Sequence, residues 1–116
     1  MISAAIPAAE WRGMSGPEQE MFAVLSSLRG EEVRREWRFD PRRKYRADFA
    51  LPLRRILVEV EGGIWSRGRH VRGRGFEADC EKYNRAALLG WCVLRFTPDM
   101  IRSGEAEKTI REAIRR

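Results

Sequence analysis

Two short segments that alternate at period 2 and stand a few residues apart constrain this chain most. They are Tyr45-Arg46-Ala47-Asp48-Phe49-Ala50-Leu51 and Ile56-Leu57-Val58-Glu59-Val60-Glu61. Each reads as a strand with one apolar face and one chemically different face, and the short Pro52-containing connection predicts a tight antiparallel hairpin. A register that pairs Leu51 with Ile56 also pairs Phe49 with Val58 and Ala47 with Val60, all apolar. It sets Asp48 opposite Glu59 and Arg46 opposite Glu61. Directly opposed like charges destabilise an antiparallel pair. At ~4 Å and an effective dielectric of ~20 the repulsion approaches about 4 kcal/mol before screening. A counter-cation removes that cost. Mg²⁺ takes oxygen ligands and is typically held by one or two carboxylates together with phosphate oxygens, so the hairpin predicts a metal site that faces a phosphate. The competing reading is that Asp48 and Glu59 are salt-bridged by Arg46, Arg54 or Arg55.

The rest of the composition agrees with a phosphate-bearing partner. At 116 residues the chain is one domain with a single modest core. A net charge of +6 and a pI near 10.1 favour a polyanion over an acidic protein or a neutral metabolite. Cys80 and Cys92 lack the spacing of a metal knuckle and read as reduced, buried thiols of a cytoplasmic protein. Residues 1–9 are mildly apolar but have neither the basic start nor the apolar length of a signal peptide. No segment is long and apolar enough for a membrane span.

Residues 1–14 form a lead-in, and 15–116 are expected to be one α/β domain. Ser15-Gly16-Pro17 opens a helix whose core stripe is Met21, Val24, Leu25 and Leu28, ended by Gly30. Glu18 and Glu20 flank the stripe on opposite sides, so either can lean toward the sheet or simply serve the helix dipole. Residues 31–39 read as a strand, followed by a turn at Asp40-Pro41 and the acidic hairpin. After a glycine- and arginine-rich loop, Phe76, Cys80, Tyr83 and Ala87 mark one side of a second helix, with Glu81 and Arg85 as an i,i+4 pair. Residues 91–96 are a buried-looking strand, Thr97-Pro98 a short turn, and Ser103 onward a terminal helix. Its Ile110, Ala113 and Ile114 either pack on the sheet or offer a partner surface. The order helix, three strands, helix, strand, helix predicts a mixed sheet flanked by helices.

Several cations stand where a nucleic-acid backbone can use them. Arg67, Arg69, Arg72 and Arg74 share a loop with glycines that permit close approach, and their guanidinium groups can fork onto phosphates; the alternative is a solvated loop. Arg42, Arg43 and Lys44 form a second phosphate patch just before the acidic strand. His70 is the one histidine of the chain, either a DNA contact or a general base. Trp65 can stack on a base or fill space, whereas Trp37, Trp91 and Phe96 read as core. Asp79 and Lys82 stand one helical turn apart and can form a surface ion pair.

The segments Arg46-Ala47-Asp48-Phe49-Ala50, Val58-Glu59-Val60-Glu61-Gly62-Gly63, Gly68-Arg69-His70, and Asp79-Cys80-Glu81-Lys82-Tyr83-Asn84 through Gly90-Trp91-Cys92-Val93-Leu94-Arg95-Phe96 occur in that order. Together they resemble the PD-(D/E)XK nuclease superfamily. The likeness is greatest to small phage-type nucleases related to Holliday-junction resolvases and very-short-patch-repair-like endonucleases. The resemblance covers roughly residues 18–100 and implies the superfamily's α-β-β-β-α-β core. It also implies Mg²⁺-dependent hydrolysis of DNA phosphodiesters, with Mn²⁺ as a substitute, in the cytoplasm of a bacterial or phage-infected cell. Asp48 and Glu59 match the metal-binding acids, and Glu20, or else Glu18, matches an acid that some resolvases contribute from the first helix. Glu61 stands where the motif expects lysine. Lys82 is the candidate to supply that missing charge, while Glu61 is left to bind metal or act as base. A resolvase likeness further implies branched DNA as substrate and a homodimer, since two symmetric cuts need two sites. Mismatch-nicking and non-specific nucleases of the same superfamily are the neighbouring alternatives, and an inactive DNA-binding module is the alternative of another class.

Overall fold

Ser15 starts the first helix through a reciprocal cap. Its hydroxyl accepts the Glu18 N–H at 3.3 Å, and its own N–H donates to Glu18 Oε1 at 2.8 Å. Such a box satisfies two backbone donors that the first helical turn leaves open. The computed structural model describes residues 13–61 and 74–116, and its elements follow the expected order. They are α1 (Gly16–Ser26), β1 (Arg34–Arg38), β2 (Arg46–Leu51), a 3₁₀ turn (Pro52–Arg54), β3 (Ile56–Val60), α2 (Arg74–Leu88), β4 (Cys92–Phe96), α3 (Pro98–Ser103) and α4 (Glu105–Arg115). The terminal region is therefore two helices. Thr97 caps α3 by accepting the Met100 N–H, and Gly104, at φ 91°, turns the chain into α4.

The sheet runs β1-β2-β3-β4. β1, β2 and β3 are antiparallel neighbours, and β4 joins β3 in parallel after the α2 crossover. The result is a compact α/β domain built on a mixed sheet with helices on both faces. Between β2 and β3 the expected register holds for Leu51↔Ile56, Ala50↔Leu57 and Phe49↔Val58. The ladder stops there. The expected pairs Ala47 with Val60 and Arg46 with Glu61 do not form, and Arg46 is instead paired with Arg38 of β1. The pleat also changes at this point: Phe49 belongs to one core, while Ala47 and Ala50 belong to the other. Glu36, which lies on β1 between the pairs Arg35↔Phe49 and Trp37↔Ala47, takes a left-handed φ of 47°.

The larger core lies between the sheet and α1, α3 and α4. Met21, Phe22, Leu25, Phe49, Leu51, Ile56, Val58, Phe96, Ile101 and Ile110 fill it. Ala113 and Ile114 pack against this core, which answers the choice between sheet packing and a free surface for the last helix. The smaller core, on the α2 face, gathers Phe39, Ala47, Ala50, Leu57, Ala86 and Trp91. Here the phase of α2 differs from expectation. Phe76, Cys80 and Ala87 are exposed, and the helix turns Lys82, Tyr83, Ala86 and Leu89 toward the sheet. Cys80 is thus an exposed thiol and Cys92 a half-buried one. Trp37 is half-buried, and its buried indole N–H has no partner among the described residues. Among the described residues no helix is long and apolar enough to cross a membrane.

Candidate functional site

Where the β2–β3 ladder ends, two carboxylates replace it. The Asp48 N–H donates to Glu59 Oε2 at 2.8 Å, and the Val60 N–H donates to Asp48 Oδ2 at 2.8 Å. Each acid thereby satisfies a backbone donor of the other's strand, which holds two like charges side by side at the open end of the hairpin. Glu59 is buried on the α2 face. Burial, and next the Glu59 charge, push the Asp48 carboxyl up to about 6. The Val60 hydrogen bond and the Lys82 ammonium oppose that rise, and the Glu18 carboxylate adds to it.

The counter-charge comes from α2. Lys82 Nζ lies 3.0 Å from Glu59 Oε1, and the Tyr83 hydroxyl donates to the same oxygen at 3.0 Å. Arg46, Arg54 and Arg55, the arginines considered as partners for these acids, all go elsewhere. Arg46 meets Glu36 at 3.7 Å, Arg54 grips Glu31 at 2.9 Å, and Arg55 donates to the Leu89 carbonyl and covers the Trp91 ring. Lys82 does not pair with Asp79, and Arg85 turns from Glu81 to Asp40 at 3.2 Å.

Glu61 stands apart. Arg95 of β4 binds it through two hydrogen bonds of 3.0 and 3.1 Å. The same guanidinium lies 4.5 Å from the centre of the Tyr83 ring. Among the described residues no three His, Cys, Asp or Glu side chains gather as a metal-binding group, so Glu61 does not join Asp48 and Glu59 as expected. Glu20 is likewise drawn away, to Arg102 at 3.1 Å. Glu18 is the α1 carboxylate whose charge reaches Asp48. Arg42, Arg43 and Lys44 are exposed on the β1–β2 turn. Trp65, Arg67, Arg69, His70 and Arg72 lie outside the described residues, as does the side chain of Arg74 at the start of α2.

Two carboxylates suit a hard divalent ion that takes its remaining ligands from water and phosphate. Glu59 Oε1 already has two donors, but Oε2 of Glu59 and Oδ2 of Asp48 each accept one N–H. Asp48 Oδ1 accepts none among the described residues. Free lone pairs therefore remain on both acids. The donor set fits Mg²⁺ or Mn²⁺ held by Asp48 and Glu59 alone.

Sequence reasoning missed three residues. Tyr83 was expected in a core stripe, Arg95 in a buried strand, and Asp40 in a simple turn. Arg95 had a readable signal. In β4 the residues Cys92, Leu94 and Phe96 alternate toward the larger core, which sends Val93 and Arg95 to the face shared with Glu59 and Glu61. Comparison of the chain with protein-family models, curated proteins and solved structures finds no match.

Proposed function

We propose that this chain is a Mg²⁺-dependent DNA endonuclease with a PD-(D/E)XK-like core, able to use Mn²⁺, that hydrolyses phosphodiesters and prefers branched DNA as a homodimer. One observation carries the reading: two carboxylates that each accept a backbone N–H from the other's strand, with a lysine ammonium 3.0 Å from one of them. Asp48 and Glu59 would hold the ion. A divalent ion so held lowers the pKa of a bound water and polarises a phosphate oxygen. Lys82 brings a positive charge to the side of the carboxylates where charge develops on the phosphate, the role that Glu61 cannot fill. The Tyr83 hydroxyl fixes Glu59 Oε1, and burial followed by the Glu59 charge keeps that phenol protonated far above its ordinary range. Arg95 holds Glu61 clear of the two acids.

The test is nicking of supercoiled plasmid with Mg²⁺ by the parent, Asp48→Ala and Lys82→Ala. The expected losses are at least about 100-fold for each variant, the scale of removing one preorganised charge from a reaction centre. Parallel assays on four-way junctions, mismatched duplexes and plain duplexes decide the substrate; equal rates on all three remove the junction preference. A second reading also has an observation behind it. The Glu59–Lys82–Tyr83 cluster balances its charge without an ion, as a DNA-binding module without catalysis would need. Identical background nicking by the parent and Asp48→Ala, with duplex binding intact, would establish that module instead.

A further inference from the structure

The tip of the β1–β2 hairpin carries Arg38, Arg42, Arg43, Lys44 and Arg46 within a run of nine residues. Arg38 and Arg46 face each other across the ladder, and both are exposed. Directly opposed like charges cost stability in a sheet. The Glu36 carboxylate is 3.7 Å from Arg46 but is itself 61% exposed, so it offsets little. Arg42, Arg43 and Lys44 add three exposed cations on the connecting turn.

The one acid of the tip faces inward. Asp40 has a fully buried side chain. Its Oδ1 accepts the Arg42 N–H at 2.9 Å, and its Oδ2 takes Arg85 Nε at 3.2 Å and lies 3.6 Å from Arg43. The first bond shapes the turn, as an Asp side chain does when it accepts the N–H two residues on. The second ties the turn to α2, one helical turn beyond Lys82. β2 begins and β3 ends at this edge of the sheet, so the tip shares it with Asp48 and Glu59.

We propose that the β1–β2 hairpin tip is a contact surface for the phosphate backbone of duplex DNA, and that Asp40 is the positioning residue that locks it to α2 beside the carboxylate site. The identity of the ligand rests on the nuclease reading. The lock is a separate claim.

Fluorescence anisotropy with a short labelled duplex, in EDTA and across a salt series, tests both without cleavage. Each phosphate contact contributes about −0.9 to the slope of log K against log salt. Replacing Arg42, Arg43 and Lys44 together by alanine should make the slope shallower by about 2 to 3. Asp40→Asn is the decisive variant, because it raises the net charge by one. A surface acting by charge alone would then bind duplex more tightly. A locked surface should bind about 3- to 10-fold more weakly, with a slope shallower by about one contact. If Asp40→Asn does not fold, Arg85→Gln carries the same question: its own charge accounts for a slope change of at most about 0.9, so a larger loss supports the lock and a smaller one overturns it. A folded Asp40→Asn protein with parental or tighter binding also overturns it. Polyglutamate competing as well as unlabelled duplex would overturn the choice of DNA. Absence of duplex binding by the parent would sink the nuclease reading itself, a different outcome from a parent that binds and nicks with an indifferent Asp40.

Discussion

At Asp48 stability and proposed function pull in opposite directions. Its carboxyl sits near 6 in the folded protein, against 3.8 for a free side chain, because burial and then Glu59 disfavour its charge. A raised acid pKa means that the folded state holds a proton the unfolded chain has lost. The stabilisation is therefore fully present below about pH 4 and is lost as pH rises through about 6. Asp48→Asn keeps an acceptor for the Val60 N–H but cannot ionise. It should be more stable than the parent at pH 7.5 by about 1 kcal/mol, less than the full shift implies because solvent screens part of it, and near equal at pH 4.5. Thermal melts of both proteins at the two pH values check this; an unchanged difference would show that the carboxyl is not perturbed. The acids of the site were legible because period-2 alternation assigns each side chain to a face. Lys82 was legible only as the nearest cation on the next helix. Tyr83 was not legible as a ligand of Glu59, because its contact depends on the rotation of α2 about its own axis. Glu20 was chosen over Glu18 where spacing alone gives no preference, and Arg102, 82 residues away in sequence, captured it.

Among the elements, α2 and the terminal helices show what patterning can and cannot carry. The apolar spacing of Phe76, Cys80, Tyr83 and Ala87 predicted a buried stripe, yet Phe76, Cys80 and Ala87 are exposed. Ala86, fully buried, sets the packing instead, and a small residue gives a weak periodic signal. The capped start of α1 was readable because Ser15, Pro17 and Glu18 carry local chemistry that tertiary packing need not override. The short helix α3 before Gly104 was not anticipated, since Thr97-Pro98 reads as a turn and the terminal helix was placed only from Ser103 onward. Gly104 offers a clean test of that joint. A Cβ added there would meet nothing within 4 Å, so the cost of Gly104→Ala is the backbone at φ 91° and nothing else. The expected loss is about 1–2 kcal/mol, or roughly 4–8 °C in Tm per kcal/mol for a domain near this size. Because α3 and α4 pack on the face away from α2, nicking activity per folded molecule should not change. A melt within a degree of the parent would mean that the α3–α4 joint does not hold the left-handed conformation.

The two faces of the sheet do different work, and that separation is a property of the whole molecule. The α1–α3–α4 face holds most of the large buried side chains, while the α2 face has a small core and gives its outer part to Glu59, Lys82, Tyr83, Glu61 and Arg95. Changes in the polar layer should therefore leave the fold intact, which makes ion binding measurable as stability. A ligand that binds only the folded state raises stability by RT ln(1 + [L]/Kd), about 1.4 kcal/mol at ten times Kd. Protons compete with an ion for the same carboxylate oxygens. Mg²⁺ should thus raise Tm at pH 7.5, where Asp48 is ionised, and much less at pH 5, where the proton holds it. EDTA should reverse the gain. General screening of a chain with net charge +6 also changes stability, but it acts on the parent and on Asp48→Asn alike. The quantity to measure is accordingly the difference between the two proteins in their response to Mg²⁺ at each pH. A response confined to the parent, and to pH above about 6, places the ion on Asp48. An equal response in both proteins, or one that does not depend on pH, would show that the paired carboxylates hold no ion and that Lys82 is their permanent partner.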